Sequence, residues 1–180
     1  MTEPAGCISL AQHYLRQMLA DTAAVRTWLG AENQAEALAR IRHEGLPKPA
    51  DNAVEHTRAE LVAYRPYATV FTAESGGLTL NHDAGGAAFE FAESGRLTVR
   101  LYQNCPDEYG DEPSSDANLQ FKNSVGLIMN GLAALSGTAG YLAFERLTLS
   151  DGPFWGHPDL VPAQGVWQGA ELSIEWGDGA

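Results

Sequence analysis

The chain has 180 residues, 44% hydrophobic and 9% aromatic, with 23 acidic residues against 11 basic ones. Such a chain can bury a core without staples, and its composition excludes global disorder. The formal net charge of −12 argues against nucleic acid or an anionic membrane as partner, because both require lysine and arginine to neutralise phosphate.

From the N-terminus, Ile8, Ala11, Leu15, Met18, Val25 and Trp28 or Leu29 form one apolar stripe, which predicts a helix from Cys7 to Leu29 stopped by Gly30. Asn33 with Glu36 makes an N-x-x-E variant of the capping box and predicts a second helix to about His43. Pro47 and Pro49 remove donors and end it. One or two helical turns are compatible with Asp51 to Leu61. The acidic Met1-Thr2-Glu3-Pro4 start lacks the basic and apolar regions of a secretory signal. No run reaches the roughly 20 apolar residues of a spanning helix.

Tyr64 to Thr72 is β-branched and aromatic on both faces, and predicts a strand covered on both sides with Pro66 near its start. Turn chemistry follows at Ser75-Gly76-Gly77 and Asp83-Ala84-Gly85-Gly86. Ala87 to Phe91 and Arg96 to Tyr102 then read as a hairpin over Glu93-Ser94-Gly95, and Asp107 to Ser115 as an acidic loop. Asp116 is the expected N-cap of a long helix, with Phe121, Val125, Ile128, Leu132 and Leu135 as its core stripe and Gly137 as its stop. Gly126 and Gly131 each cost such a helix roughly 1 kcal/mol, which close packing against the sheet would explain. Tyr141 to Leu149 reads as a strand with a bulge near Glu145-Arg146. A loop over 150–165 carrying Phe154 and Trp155, then a closing strand ending at Trp176, complete the chain.

The expected architecture is therefore α+β: a mostly antiparallel sheet of about four to five strands packed against N-terminal helices and one long central helix. A single domain spans 1–180, with a helical segment over 7–45 and the sheet and central helix over 62–176. Two strands carry opposite charges on their polar faces. Arg96, Thr98 and Arg100 alternate with Leu97, Val99 and Leu101, while Glu171, Ser173 and Glu175 alternate with Leu172, Ile174 and Trp176. Laid antiparallel, Arg96 would face Glu175 and Arg100 would face Glu171, fixing the register.

No reaction is legible beside this pattern. The carboxylates between Asp107 and Glu112 lack calcium-loop spacing, because Tyr109 falls at the third ligand position. The five histidines, at 13, 43, 56, 82 and 157, make no HxH or HExxH pair; His82-Asp83 reads as turn chemistry. Ser75, Ser94 and Ser136 precede glycine without a G-x-S-x-G elbow, and the glycines at 76, 77, 85 and 86 fit no phosphate loop. Cys105 has no cation placed by sequence to activate it, and with Cys7 it is expected to be a free thiol in a reducing cytoplasm. No catalytic residue, cofactor or metal is assigned. The candidate site is an assembly interface of Arg96, Arg100, Phe154, Trp155, Glu171 and Glu175. Aromatics such as Phe154 and Trp155 either tuck back onto their own domain or anchor a partner.

In its order of elements the chain resembles the tail-terminator and neck (head–tail joining) proteins of long-tailed bacteriophages and prophages. The residues carrying the resemblance are Arg65-Pro66-Tyr67-Ala68-Thr69-Val70-Phe71, the Asp116 to Leu135 helix and Ala170 to Trp176. It covers roughly residues 60 to 176. It implies a virion protein made in the bacterial host cytoplasm, forming a homo-oligomeric ring, a hexamer in such families. The implied partners are tail-tube and head-completion proteins, and the family has no catalytic residues to carry over. Two other classes fit the residues: a cytosolic α+β adaptor or inhibitor module, and a small metal-dependent hydrolase in which His82, Asp83, Cys105 and the acidic loop would have to converge.

Overall fold

A computed structural model describes residues 7–43, 45–49, 53, 55–72, 94–106, 108–109, 112–156 and 166–177. Within them the fold is α+β, as the periodicities predict. Helices α1 (Cys7–Asp21), α2 (Ala23–Leu29) and α3 (Gln34–Arg40) lead into β1 (Ile41–His43), then α4 (Arg58–Tyr64), β2 (Tyr67–Thr72) and β3 (Ser94–Asn104). A two-stranded ribbon, β4 (Glu108–Tyr109) and β5 (Glu112–Pro113), precedes the long helix α5 (Ser115–Leu135), and β6 (Arg146–Gly156) and β7 (Trp167–Gly177) close the chain. The main sheet has five strands in the order β1-β2-β3-β7-β6. β1 runs parallel to β2 and the other neighbours are antiparallel.

The expected single N-terminal helix is two. Backbone at Thr22 turns extended, and its hydroxyl bonds back to the Met18 carbonyl at 2.9 Å, a local bond that competes with helix continuation. Arg26 Nη1 donates to the carbonyls of Ala20 and Asp21 at 3.0 and 2.7 Å, satisfying the end of α1. Gly30, with φ 65°, terminates α2 in the left-handed conformation, as expected of a glycine there.

The second helix begins at the predicted Asn33 cap, whose side chain accepts from Glu36 N, but stops at Arg40 instead of His43. Arg16 takes over its last carbonyls, donating from Nε to Ile41 O and from Nη2 to Leu38 O, both at 2.8 Å. The released chain pairs as β1. The weakly marked 51–61 stretch contributes α4 from Arg58, started by a full capping box between Thr57 and Glu60. Tyr64 belongs to α4, so β2 starts only at Tyr67; Tyr67, Ala68, Thr69 and Val70 are all buried, in keeping with a strand covered on both sides.

Further along, Ser94 and Gly95 are strand residues opposite Gly177 and Trp176, not a turn. The proposed partner strand at 87–91, the glycine turns at 76–77 and 85–86, and His82-Asp83 lie outside the described residues. Part of the acidic loop forms the β4–β5 ribbon. The cap of α5 is Ser114, whose side chain accepts from Ala117 N; Asp116 sits in the first turn, where a carboxylate favours the helix dipole. β6 begins at Arg146, so Tyr141 to Phe144 is not strand, and the irregularities fall between Leu149 and Phe154. The expected loop over 150–165 is strand as far as Gly156; residues 157–165 lie outside the described set.

One sheet face is apolar throughout. Ala68, Val70, Leu97, Val99, Leu101, Ala170, Leu172 and Ile174 join Leu15, Met18, Val25 and Leu29 from the helices, and Phe121, Val125, Ile128 and Leu132 from α5, in one buried cluster. Polar residues extend this face at one end: Gln168 donates to Asn118 Oδ1 at 3.0 Å, and Trp28 Nε1 donates to Gln103 Oε1 at 2.8 Å.

The two α5 glycines differ. A Cβ on Gly131 would stand 2.5 Å from Thr22 Cγ2, so the glycine admits the α1–α2 break and not the sheet. Around Gly126 nothing lies within 4 Å of such a Cβ. Gly126→Ala is therefore expected to stabilise the protein by about 1 kcal/mol, through helix propensity alone. Gly131→Ala is expected to lose that gain, because Thr22 cannot swing its methyl away without giving up the bond to Met18. Thermal denaturation of both variants separates these outcomes, and equal gains would contradict the contact.

Candidate assembly interface

The opposite sheet face is formed by the complementary parity. Tyr67, Thr69 and Phe71 of β2, Arg96, Thr98, Arg100 and Tyr102 of β3, and Trp167, Gly169, Glu171, Ser173 and Glu175 of β7 point away from the helices. The register is the one the charges demand: Arg96 is opposite Glu175 and Arg100 is opposite Glu171. Arg96 Nη2 pairs with Glu175 Oε1, and Arg100 Nε donates to Glu171 Oε2 at 2.6 Å. Arg146 of β6 lies on the other side of Glu175, completing a cross-strand row of alternating sign.

Glu171 is tied further by Ser150, whose hydroxyl donates to its carbonyl at 3.0 Å. The Arg100 guanidinium lies 4.4 Å from the centre of the Phe71 ring. Glu171 as hydrogen-bond acceptor is the main cause holding the Arg100 pKa above its ordinary value. Thr69 and Thr98, between these large side chains, are buried. These ion pairs are internal to one chain, so the charged residues reach any partner already coupled.

Arg100→Glu is expected to destabilise the protein by about 1–2 kcal/mol. An exposed pair contributes up to about 1 kcal/mol, and the stacking over Phe71 a comparable amount. The exchanged pair Arg100→Glu with Glu171→Arg should recover the electrostatic part but not the Phe71 contact. A urea double-mutant cycle measures this, and strictly additive losses would contradict the pairing.

Toward the other end of the same face the character changes from ionic to aromatic. Tyr67 and Tyr102 stack with centroids 5.0 Å apart, Tyr102 meets Trp167 edge-on at 5.5 Å, and Trp167 meets Phe154 at 5.8 Å. The Arg65 guanidinium sits 5.5 Å from the Trp167 ring centre and Arg42 stands 5.3 Å from that of Tyr64. Gly169 makes room for this cluster, since a Cβ there would stand 2.5 Å from Phe154 Cε2. Burial first, and the neighbouring Tyr102 second, push the Tyr67 hydroxyl up to about 12. Burial lowers the pKa of Arg65. A cavity of about 290 Å³ opens between Gly45-Leu46 and Tyr67, Phe71, Arg100 and Tyr102.

The six candidate residues thus divide. Arg96, Arg100, Glu171 and Glu175 come together. Phe154 and Trp155 are strand residues rather than loop residues, and their alternation separates them: Phe154 tucks onto Trp167, while Trp155 remains 40% exposed on edge strand β6, which also carries Leu149 at 37%. The candidate interface read from the sequence did not include Arg42, Arg65, Tyr67, Tyr102 or Trp167. Extending the period-two parity from Arg100 to Tyr102 and from Glu171 back to Trp167 is the signal that marks the last two. Leu119 and Leu127 are exposed at 57% and 61% on the outer side of α5. Among the described residues no three His, Cys, Asp or Glu side chains gather as a metal-binding group, and no helix is long and apolar enough to cross a membrane. No protein-family model matches this chain, and no curated protein matches it.

Proposed function

We propose that the chain is a structural virion protein of a long-tailed phage or prophage, acting in tail completion or head–tail joining by assembling into a ring. Its work is contact and not catalysis, its partners are copies of itself and the tail-tube and head-completion proteins, and its place is the virion after synthesis in the host cytoplasm. The observation that carries this reading is the pair of unlike borders on one rigid sheet. Among the described residues, β1 and β6 are the two sheet edges. The β6 edge presents Trp155 and Leu149, and the β1 edge is short, carries Arg42 and adjoins Leu46. Contact between two different patches is heterologous, and heterologous contacts close into rings when the rotation permits. Exposed aromatic anchors favour such contacts.

Light scattering over a concentration series is expected to show self-association, with rings in negative-stain images. Trp155→Thr combined with Leu149→Thr should abolish association while leaving the circular dichroism spectrum near that of the unaltered chain, since both side chains are partly exposed and threonine suits a strand. A strict monomer at high concentration and low salt, with or without tail-tube protein, would overturn the reading.

A further inference from the structure

We propose that the open cleft lined by α1, α3 and β1 binds a small oxyanion, a phosphate or carboxylate group held between Arg16 and Arg42. The cleft measures about 680 Å³ and its lining includes His13, Arg16, Gln17, Arg42, His43 and Leu46. That volume is typical of small-molecule sites. In a chain with 23 acidic residues and 11 basic ones, the described residues that line this cleft include two arginines and two histidines and, among them, no Asp or Glu.

Arg16 is held in place. Its Nε and Nη2 are fixed by the carbonyls of Ile41 and Leu38. A guanidinium has five N–H donors in a planar fork, so those bonds leave donors for a ligand. Arg42 is braced over the Tyr64 ring, and its buried Nε has no hydrogen-bond partner. A buried donor without an acceptor is costly, and an acceptor arriving with a ligand removes that cost. Burial first, and the positive charge of Arg42 second, depress the Arg16 pKa, which is the repulsion an anion between the two would relieve. Oxyanions are the natural complement, because carboxylate and phosphate oxygens match the guanidinium fork.

Calorimetric titration of the whole protein with inorganic phosphate, and separately with succinate, at constant ionic strength tests this. Saturable binding of at least one is expected, and whichever binds more tightly identifies the group as phosphate or carboxylate. Arg42→Gln should weaken it by about tenfold or more, the usual scale of a charge-assisted pair, and Arg42→Lys should fall between. If Arg42→Gln does not fold, proton NMR of the unaltered protein decides. Saturable shifts of the His13 ring and the Leu46 amide support the site, whereas shifts spread over the surface overturn it. Absence of saturable binding for both probes, or equal binding by a folded Arg42→Gln protein, also overturns it. The outcome does not depend on ring assembly.

Discussion

Ile128→Ala should cost about 2–5 kcal/mol of folding stability, the range for truncating a fully buried isoleucine. Ile128 has no exposure, and it stands at the centre of the α5 stripe between Val125 and Leu132, which are also buried. The loss combines the transfer energy of the missing methyl and methylene groups with a cavity that neighbours fill only partly. Collapse is restricted here because α5 packs on α1, α2 and the sheet at once. Urea unfolding measures it directly through the shift in midpoint at unchanged slope. Leu127→Ala, one residue away but 61% exposed, should change stability by less than about 0.5 kcal/mol. Similar losses at both positions would mean that α5 does not present this face to the core.

The second large effect is alkaline. Tyr67 keeps its proton to about pH 12 in the folded protein, whereas an unfolded tyrosine releases it near 10. A raised folded pKa means that the stabilising contribution is complete below pH 10 and is lost as pH climbs from about 10 through about 12. A shift of that size corresponds to roughly 2–3 kcal/mol, lost across that window. Tyr102, stacked on Tyr67, is also shifted upward, chiefly by burial. Stability measured from pH 8 to 12 should fall steeply above 10, and Tyr67→Phe should flatten the fall. A Tyr67→Phe protein that loses stability as steeply as the unaltered chain would place the alkaline transition elsewhere.

These side chains illustrate what a single sequence carries. Alternation in β3 and β7 fixed the face of each residue, and opposite charges at matched spacing gave the register that pairs Arg96 with Glu175 and Arg100 with Glu171. The stripe from Phe121 to Leu132 likewise identified a core helix before its partners were known. Both patterns are periodic, and a period is a property of neighbours along the chain. Element ends were read less well. Thr22 breaks a helix whose apolar stripe runs on unbroken, and Arg40 ends another three residues before the expected His43. In each case a distant or local side chain, Arg26 or Arg16, captures the carbonyls that a further helical turn would have used.

The aromatic end of the outer face was legible only in part for the same reason. Tyr67 and Tyr102 touch because β2 and β3 pair, and Trp167 meets Phe154 because β7 pairs with β6 and Gly169 leaves the space. Phe154 and Trp155 looked alike as loop aromatics, yet strand alternation packs one against Trp167 and leaves the other exposed on an edge. What the sequence determined by itself was the α+β class, the core stripe and the charge-complementary strands, because these follow from spacing along the chain. The tertiary structure decided where helices stop, which aromatics meet and which arginines share a cavity, because those outcomes depend on hydrogen-bond partners and packing between residues distant in sequence.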